Sequence, residues 1–342
     1  MAREGSRRLH NALVEILCCP VCRGSLRWHI TEREGGWIQR AEATCSGGHA
    51  FEVRDGIADL LHPAHGSSDL WQTGSTALQG VLSQQPDVAA RLLAPTPDGL
   101  CAADRFFRVF ALEARGRMLE ALSEEEPASI AVYGVELRRA FEEAAAFVQS
   151  SVTPQGVAVD LASGRGTLLR HLLDAPSRLL VATDISLTGL QSLRRRLAVM
   201  GDHPPVNLLV ADAHRLPFAD ESIDTLTTWA GLPNIDWEAG QPADTLRELR
   251  RVTRGEFYNA QTFYPLDDLV HRHMFEASSL SAIMYETPLL NLMRQTGWAA
   301  SIEMRQDAMA YPSPPSELFP DWQIDLVPVR ETRVSVCVVV GR

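Results

Sequence analysis

"VAVDLASGRGTLLRHL", residues 157–172, decides the fold. It opens with an apolar run closed by Asp160, the mark of a strand buried on both faces. Ala162, Gly164 and Gly166 follow at alternate positions, and then leucines recur at helical spacing. Glycines let a chain turn tightly and approach a ligand with no Cβ in the way. Free N–H groups at a helix start supply hydrogen-bond donors. A pyrophosphate site would carry G-x-G-x-x-G, and this turn does not. An acid just ahead of the turn repels phosphate and suits a cationic, zwitterionic ligand.

Downstream the pattern alternates. "LLVATD" (179–184), "VNLLVAD" (206–212), "IDTLTTWA" (223–230) and "GEFYNAQTF" (255–263) read as strands. "GTLLRHLLD" (166–174), "TGLQSLRRRLAVM" (188–200) and "ADTLRELRRVT" (243–253) read as amphipathic helices between them. Alternating strand and helix predicts a parallel sheet covered on both faces, an α/β fold. "SIEMRQ" and "RVSVCVVVG", with no helix between, predict an antiparallel pair at the sheet edge. Asp160, Asp184 and Asp212 then stand at the carboxyl ends of three successive strands, where open α/β sheets bind ligands. A carboxylate at Asp184 can accept both hydroxyls of a ribose, and one at Asp212 can reach an adenine amine.

These residues resemble the class I S-adenosylmethionine-dependent methyltransferases, in particular the type 11, ubiquinone-biosynthesis-like members. "DLASGRG" matches that family's D-x-G-x-G-x-G motif, with Ala162 at the first glycine. "ATDIS" resembles the ribose-binding strand end, "ADAHRLPFADESID" the adenine loop, and "ELRRVTRGEF" the helix and turn before the fifth strand. The resemblance covers residues 151–342. It implies a Rossmann-like seven-stranded sheet with an antiparallel last strand, and S-adenosylmethionine bound by Asp160, Ala162, Ser163, Gly164, Gly166, Asp184, Ile185, Asp212, Ala213 and Trp229.

Methyl transfer is an in-line displacement at a sulfonium methyl, so positioning supplies most of the catalysis. A hydroxyl or amine acceptor also needs a base. Asn234 follows the fourth strand, and Tyr264, His271 and His273 lie in the insertion after the fifth. These are candidate bases or acceptor contacts, each weighed against an ordinary structural role. Met274, Phe275, Met284 and Tyr285 are candidates for an apolar lid or for plain packing.

Upstream, residues 63–150 predict helices that cover the sheet or a pocket, interrupted at "APTPDG" (94–99). Residues 1–62 differ. "CPVC" (19–22) and "CSGGH" (45–49) bring three cysteines and a histidine at paired spacings, among short β signals and a Gly35-Gly36 turn. Cys19, Cys22, Cys45 and His49 make a tetrahedral zinc set with no open position, which is a structural site. Cys18 rivals Cys19 on position alone. A metal staples a piece too small to build its own core. This stretch resembles the zinc-bearing N-terminus of bacterial large-subunit ribosomal-RNA guanine methyltransferases, and "FEVRDGIADLL" resembles small zinc proteins that activate other methyltransferases. The resemblance implies a module that helps hold RNA; the charge argues for a docked structural piece that braces the helical segment and shapes a substrate entrance.

The net charge is −11, while residues 1–55 are near neutral, so most of the surface repels phosphate backbones. Arg3, Arg7 and Arg8 on the tail are the exceptions. All 32 basic residues are arginine, which excludes a lysine nucleophile or Schiff base. No apolar run spans a bilayer and no signal-peptide pattern opens the chain, so a cytoplasmic, reducing location is expected. The expected function is methyl transfer to a small organic molecule. A ribosomal-RNA guanine methyltransferase, or a donor-binding protein of this fold without transfer activity, stand as alternatives.

Overall fold

The computed structural model describes residues 9–61, 69–175, 179–201, 203–235, 241–277 and 279–342. The tail arginines Arg3, Arg7 and Arg8, and the "HPAHGSS" connection, lie outside them.

The N-terminal stretch forms β1 (Leu9–His10), α1 (Asn11–Val14), β2 (Leu26–Glu34), β3 (Trp37–Cys45), β4 (Ala50–Arg54) and β5 (Ile57–Asp59). Five helices follow: α2 (Leu70–Gln84), α3 (Pro86–Leu92), α4 (Ala102–Ala114), α5 (Met118–Tyr133) and α6 (Val135–Ser151). The alternating part then runs β6 (Val157–Leu161), α7 (Leu169–Leu172), β7 (Leu179–Asp184), α8 (Leu187–Val199), β8 (Val206–Val210), β9 (Ile223–Trp229), α9 (Gly231–Ile235), α10 (Pro242–Val252) and β10 (Thr253–Phe263). It closes with α11 (Leu269–Glu276), α12 (Glu286–Gln295), β11 (Ala300–Ala310) and β12 (Thr332–Gly341).

Seven of these strands lie in the order β8-β7-β6-β9-β10-β12-β11. β6 to β10 pair in parallel, and β12 runs antiparallel to both β10 and β11. Every residue of β6, β7 and β8 is buried, as strands covered on both faces must be. The outer strand β11 instead exposes Glu303 and Arg305, charges that blunt an open edge. The expected seven-stranded sheet is therefore present.

It does not stop at β8. β5 pairs in parallel with β8, Asp59 opposite Val210, and Leu60 N–H donates to the Val210 carbonyl at 3.0 Å. β4, β3 and β1 continue the same sheet, with β2 paired to β3. The small β module at the front is thus an extension of the central sheet rather than a piece resting on its surface.

One expected helix is shorter than its pattern. "GTLLRHLLD" is regular only over Leu169–Leu172: Gly166 accepts the Arg170 amide at 3.1 Å, but at φ +83 it is itself outside the helical region. α10 follows its local chemistry closely: Pro242 in its first turn, Asp244 beside the positive helix end, Arg250 and Arg251 in the last turn. α6 packs across β10, β11 and β12, while α2 and α5 pack on α8. The helical segment therefore lies against the sheet beside the carboxyl ends of its strands. Among the described residues no helix is long and apolar enough to cross a membrane.

Candidate functional site

The turn after β6 holds Ala162, Gly164 and Gly166 at φ +52, +50 and +83. Three left-handed residues in five turn the backbone back on itself above the sheet. Asp160, 1% exposed, accepts a hydrogen bond from the Thr227 hydroxyl at 3.0 Å, and the Ser163 hydroxyl caps the Asp160 carbonyl at 2.8 Å. Burial pushes the Asp160 carboxyl up to about 7 against the hydrogen bonds from Ser163 and Thr227, and the nearby Asp184 adds to the rise. A cation brought beside Asp160 would relieve both penalties.

Asp184 is likewise buried, and burial raises its carboxyl. Its Oδ2 accepts the Gly164 amide at 2.8 Å and its Oδ1 the Ser186 amide at 2.9 Å. Ser186 in turn caps α8 through Gly189 N–H at 3.0 Å. Asp212 holds the next loop, accepting the His214 amide at 2.9 Å with the His214 ring Nδ1 at 2.9 Å from the same oxygen. The Ala211 amide donates to the Asp184 carbonyl at 3.0 Å, so the loops after β7 and β8 are joined by backbone. Ile185 is half-buried and Ala213 buried at this edge. All ten residues assigned to the donor from the sequence sit on the turns that follow β6, β7, β8 and β9, or at the strand ends leading into them.

Trp229 closes β9, half-buried, its ring edge-on to Phe141 at 4.9 Å. Phe141 continues to Tyr133 at 6.3 Å, Phe106 at 6.3 Å, Phe110 at 5.4 Å and Trp71 at 6.4 Å. These six half-buried rings form an arc from the end of β9 to the glycine turn. Trp71 ends the arc against that turn. A Cβ built on Gly164 would fall 2.9 Å from the indole, and one on Gly189 3.2 Å from it. Gly189 lies in a helix at ordinary φ, so the approach of the indole accounts for the missing side chain there.

The helical segment is also tied down by charge. Glu113 of α4, 7% exposed, takes Arg165 of the glycine turn at 2.6 Å and pairs with Arg196 of α8. Glu125 of α5 pairs with the same two arginines, and the Arg165 guanidinium lies 4.0 Å over the Phe110 ring. Trp71, Phe110 and Glu113 were invisible as site residues in the sequence, because nothing local marks one aromatic or one acid on an amphipathic helix.

The candidate bases divide differently. His271 is fully buried; its Nδ1 lies 2.7 Å from Asp268 Oδ2 and its Nε2 accepts Val329 N–H at 3.0 Å. Both ring nitrogens are engaged, so this ring has no free position for a substrate proton. Tyr264 is buried between the rings of His271 and Phe275 at 4.7 and 5.2 Å, and burial raises its hydroxyl well above the ordinary range. Phe275, Met284 and Tyr285 are buried with it, while Met274 is only partly covered. His273 is exposed and hydrogen-bonds the Leu269 carbonyl at 2.7 Å. Asn234 is exposed near the end of β9, its amide donating to the Ala230 carbonyl at 2.9 Å.

At the other end of the sheet, one donor atom each from Cys19, Cys22, Cys45 and His49 falls within 4.8 Å of the other three. Cys22 Sγ and Cys45 Sγ are 3.5 Å apart, and His49 Nδ1 lies 3.6 and 3.2 Å from Cys19 and Cys45. A tetrahedron on metal–sulfur bonds of about 2.3 Å has edges of roughly 3.8 Å. The cluster fits such a metal. Cys18 stays outside it, its amide donating to the Pro217 carbonyl at 2.9 Å.

A family model described as "Methyltransferase domain" matches residues 158–256, from β6 into β10. The stretch from β6 into β10 is thus similar to a methyltransferase domain. The demethylmenaquinone methyltransferase of Renibacterium salmoninarum is 35% identical over 109 residues, 31% of this chain and 41% of the relative. The ubiquinone/menaquinone biosynthesis C-methyltransferase UbiE of Pseudomonas syringae pv. syringae is 35% identical over 98 residues, 28% and 37% of the two chains. The chain thus spans less than half the length of these curated relatives. Among solved structures, the YcgJ protein of Bacillus subtilis aligns with a TM-score of 0.44 at 12% identity, covering 58% of this chain and 97% of that one. The matched residues include the glycine turn and its acids; the cluster of three cysteines and a histidine and the helical segment lie outside them.

Proposed function

We propose that this chain transfers a methyl group from S-adenosylmethionine to a small, ring-bearing organic molecule. The observation that carries the reading is the set of three buried acids at the ends of adjoining strands, with Asp184 hydrogen-bonded to the glycine turn. When bound, the donor supplies an electrophilic methyl on a positively charged sulfur. Asp160 answers that ligand's positive charge, Asp184 its ribose and Asp212 its adenine, while the turn of Ala162, Ser163, Gly164 and Gly166 admits it closely. The donor would supply this methyl to an acceptor atom attacking in line, with S-adenosylhomocysteine as the leaving group and the acceptor's proton released to water. Holding acceptor and methyl in line is then the main task of the protein.

The arc of six rings supports a flat, apolar acceptor lying between Trp229 and Trp71. The curated relatives, named for quinone biosynthesis, point to the same acceptor class. We further infer that Cys19, Cys22, Cys45 and His49 hold one zinc ion. Four protein ligands leave no open position, so the ion is structural. A cytoplasmic, reducing setting suits three thiolates.

The test is a labelled-methyl assay with the zinc-loaded chain against reduced quinols, phenols and undermodified ribosomal RNA. Label entering an organic acceptor, with one S-adenosylhomocysteine released per methyl, is expected. Label entering RNA, and lost at high salt, would overturn the acceptor class. Absence of any heat with S-adenosylhomocysteine would overturn donor binding itself.

A further inference from the structure

The metal knuckle is bonded to the loop that follows β8. Leu17 and Phe218 form an antiparallel bridge; Cys18 N–H donates to the Pro217 carbonyl at 2.9 Å, and Ala219 N–H to the Ile16 carbonyl at 2.8 Å. Behind this seam sits Glu248 of α10, 6% exposed. Its carboxylate accepts the Leu216 amide at 2.8 Å and two bonds from Arg251, at 2.7 and 2.9 Å. Arg251 also donates to the Leu216 and Phe218 carbonyls at 2.9 and 2.7 Å. One helix therefore grips both the amide and the carbonyls of the loop that starts at Asp212.

The last partner comes from the knuckle. Arg23 lies between Cys22 and Gly24 at φ +57, a left-handed conformation that an ordinary residue adopts only under constraint. Its guanidinium forks onto Glu248, 2.9 Å to Oε2 and 3.4 Å to Oε1. The turn that aims Arg23 is closed by Arg23 N–H on the Cys19 carbonyl at 2.8 Å and Cys19 N–H on the Gly24 carbonyl at 2.9 Å, and four ligands on one metal would lock it.

We propose that Arg23 and Glu248 are positioning residues that couple metal binding at the knuckle to the order of loop 212–218, and through Asp212 to donor affinity. Neither residue is among the ten assigned to the donor. The loop is the element with two states: pinned when the knuckle is closed, looser when it opens. Coupling of this kind is reciprocal, so donor must also retain metal. The donor half of the inference rests on the function proposed above; the loop half does not.

The experiment compares the zinc-loaded chain, the chelator-stripped chain, and Arg23→Asn in both states. Asparagine tolerates the left-handed backbone and is too short to reach Glu248. Amide exchange at His214 and Leu216 is the direct readout, with β6 as the internal reference. Stripping zinc and Arg23→Asn are each expected to speed loop exchange at least fivefold with β6 unchanged. Stripping zinc from Arg23→Asn should add little. Unchanged loop exchange in the zinc-loaded variant overturns the proposal whether or not any donor binds. Should S-adenosylhomocysteine bind, its Kd should rise by about fivefold or more over the zinc-loaded wild type in each of the other three samples, at the lower end of typical coupling between sites. Bound S-adenosylhomocysteine should also slow zinc release to a chromogenic chelator. Equal Kd values across the samples overturn the donor half, and failure of the wild-type chain to bind it overturns the proposed function instead.

Discussion

Asp184 accepts the Gly164 amide at 2.8 Å, so one carboxylate joins the glycine turn to the strand end expected to hold a ribose. The same residue accepts from Ser186 at the head of α8. Asp184→Asn keeps the shape and removes the charge. Charge-assisted hydrogen bonds contribute about 1.5–3 kcal/mol, so S-adenosylhomocysteine should bind on the order of 10- to 100-fold more weakly. Calorimetry measures this; an unchanged Kd would move the ribose elsewhere.

Asp160 gives a pH signature. Its folded-state carboxyl lies near 7, above the ordinary unfolded value of about 3.9. The folded protein therefore holds this proton more tightly, and the contribution to stability is complete below pH 4 and lost as pH rises toward 7. Asp160→Asn removes that loss, so its stability relative to wild type should climb between pH 4 and 7 and level off above. Denaturant titrations across pH read the difference. A cationic donor should lower the same pKa, so near neutrality its binding should release a proton, visible as a buffer-dependent heat.

Ala162 occupies φ +52 where the resembling family places glycine. The left-handed region costs a non-glycine residue about 1–2 kcal/mol. Glycine returns part of that through a more flexible unfolded chain. Ala162→Gly should stabilise the fold by roughly 0.5–1 kcal/mol, a small rise in thermal midpoint.

Glu113 is a buried anion shared by Arg165 and Arg196. Glu113→Gln leaves two mostly buried guanidiniums with Glu125 as their remaining acidic partner. Breaking buried ion pairs on one side costs about 3–5 kcal/mol. The thermal midpoint should fall by several degrees, and limited proteolysis should reach α4 and α5 sooner than the sheet.

The four-ligand cluster should hold one zinc per chain by metal analysis. Cys45→Ser should lose it, and chelation should lower the unfolding midpoint, because binding energy at a structural site is folding energy. An intact midpoint after full metal removal would show that β-pairing alone holds the module.

The expectations from sequence were strongest where local pattern carries the information. Uniformly apolar runs such as "VAVDL" and "LLVATD" mark buried parallel strands because both faces are covered, and acids at their ends follow at fixed positions along the chain. The clustering of Cys19, Cys22, Cys45 and His49 was legible for a related reason: C-x-x-C and C-x-x-x-H close small loops whose geometry is nearly independent of the rest of the chain. The candidate bases were less legible. His271 looks like any surface histidine in sequence, and only the arrival of Asp268 and Val329 engages both its nitrogens.

What the sequence by itself determined is the alternation of strands and helices after Val157, the glycine turn, the acids at the strand ends and the paired spacing of three cysteines and a histidine. Tertiary structure alone decided that β5 would extend the central sheet along β8, that Trp71 would rest on Gly164 and Gly189, and that Arg23 would reach Glu248. The physical reason is range. Turns and periodic burial are set by neighbours within a few residues, whereas strand addition, ring stacking and buried ion pairs depend on which distant surfaces meet once the core has closed.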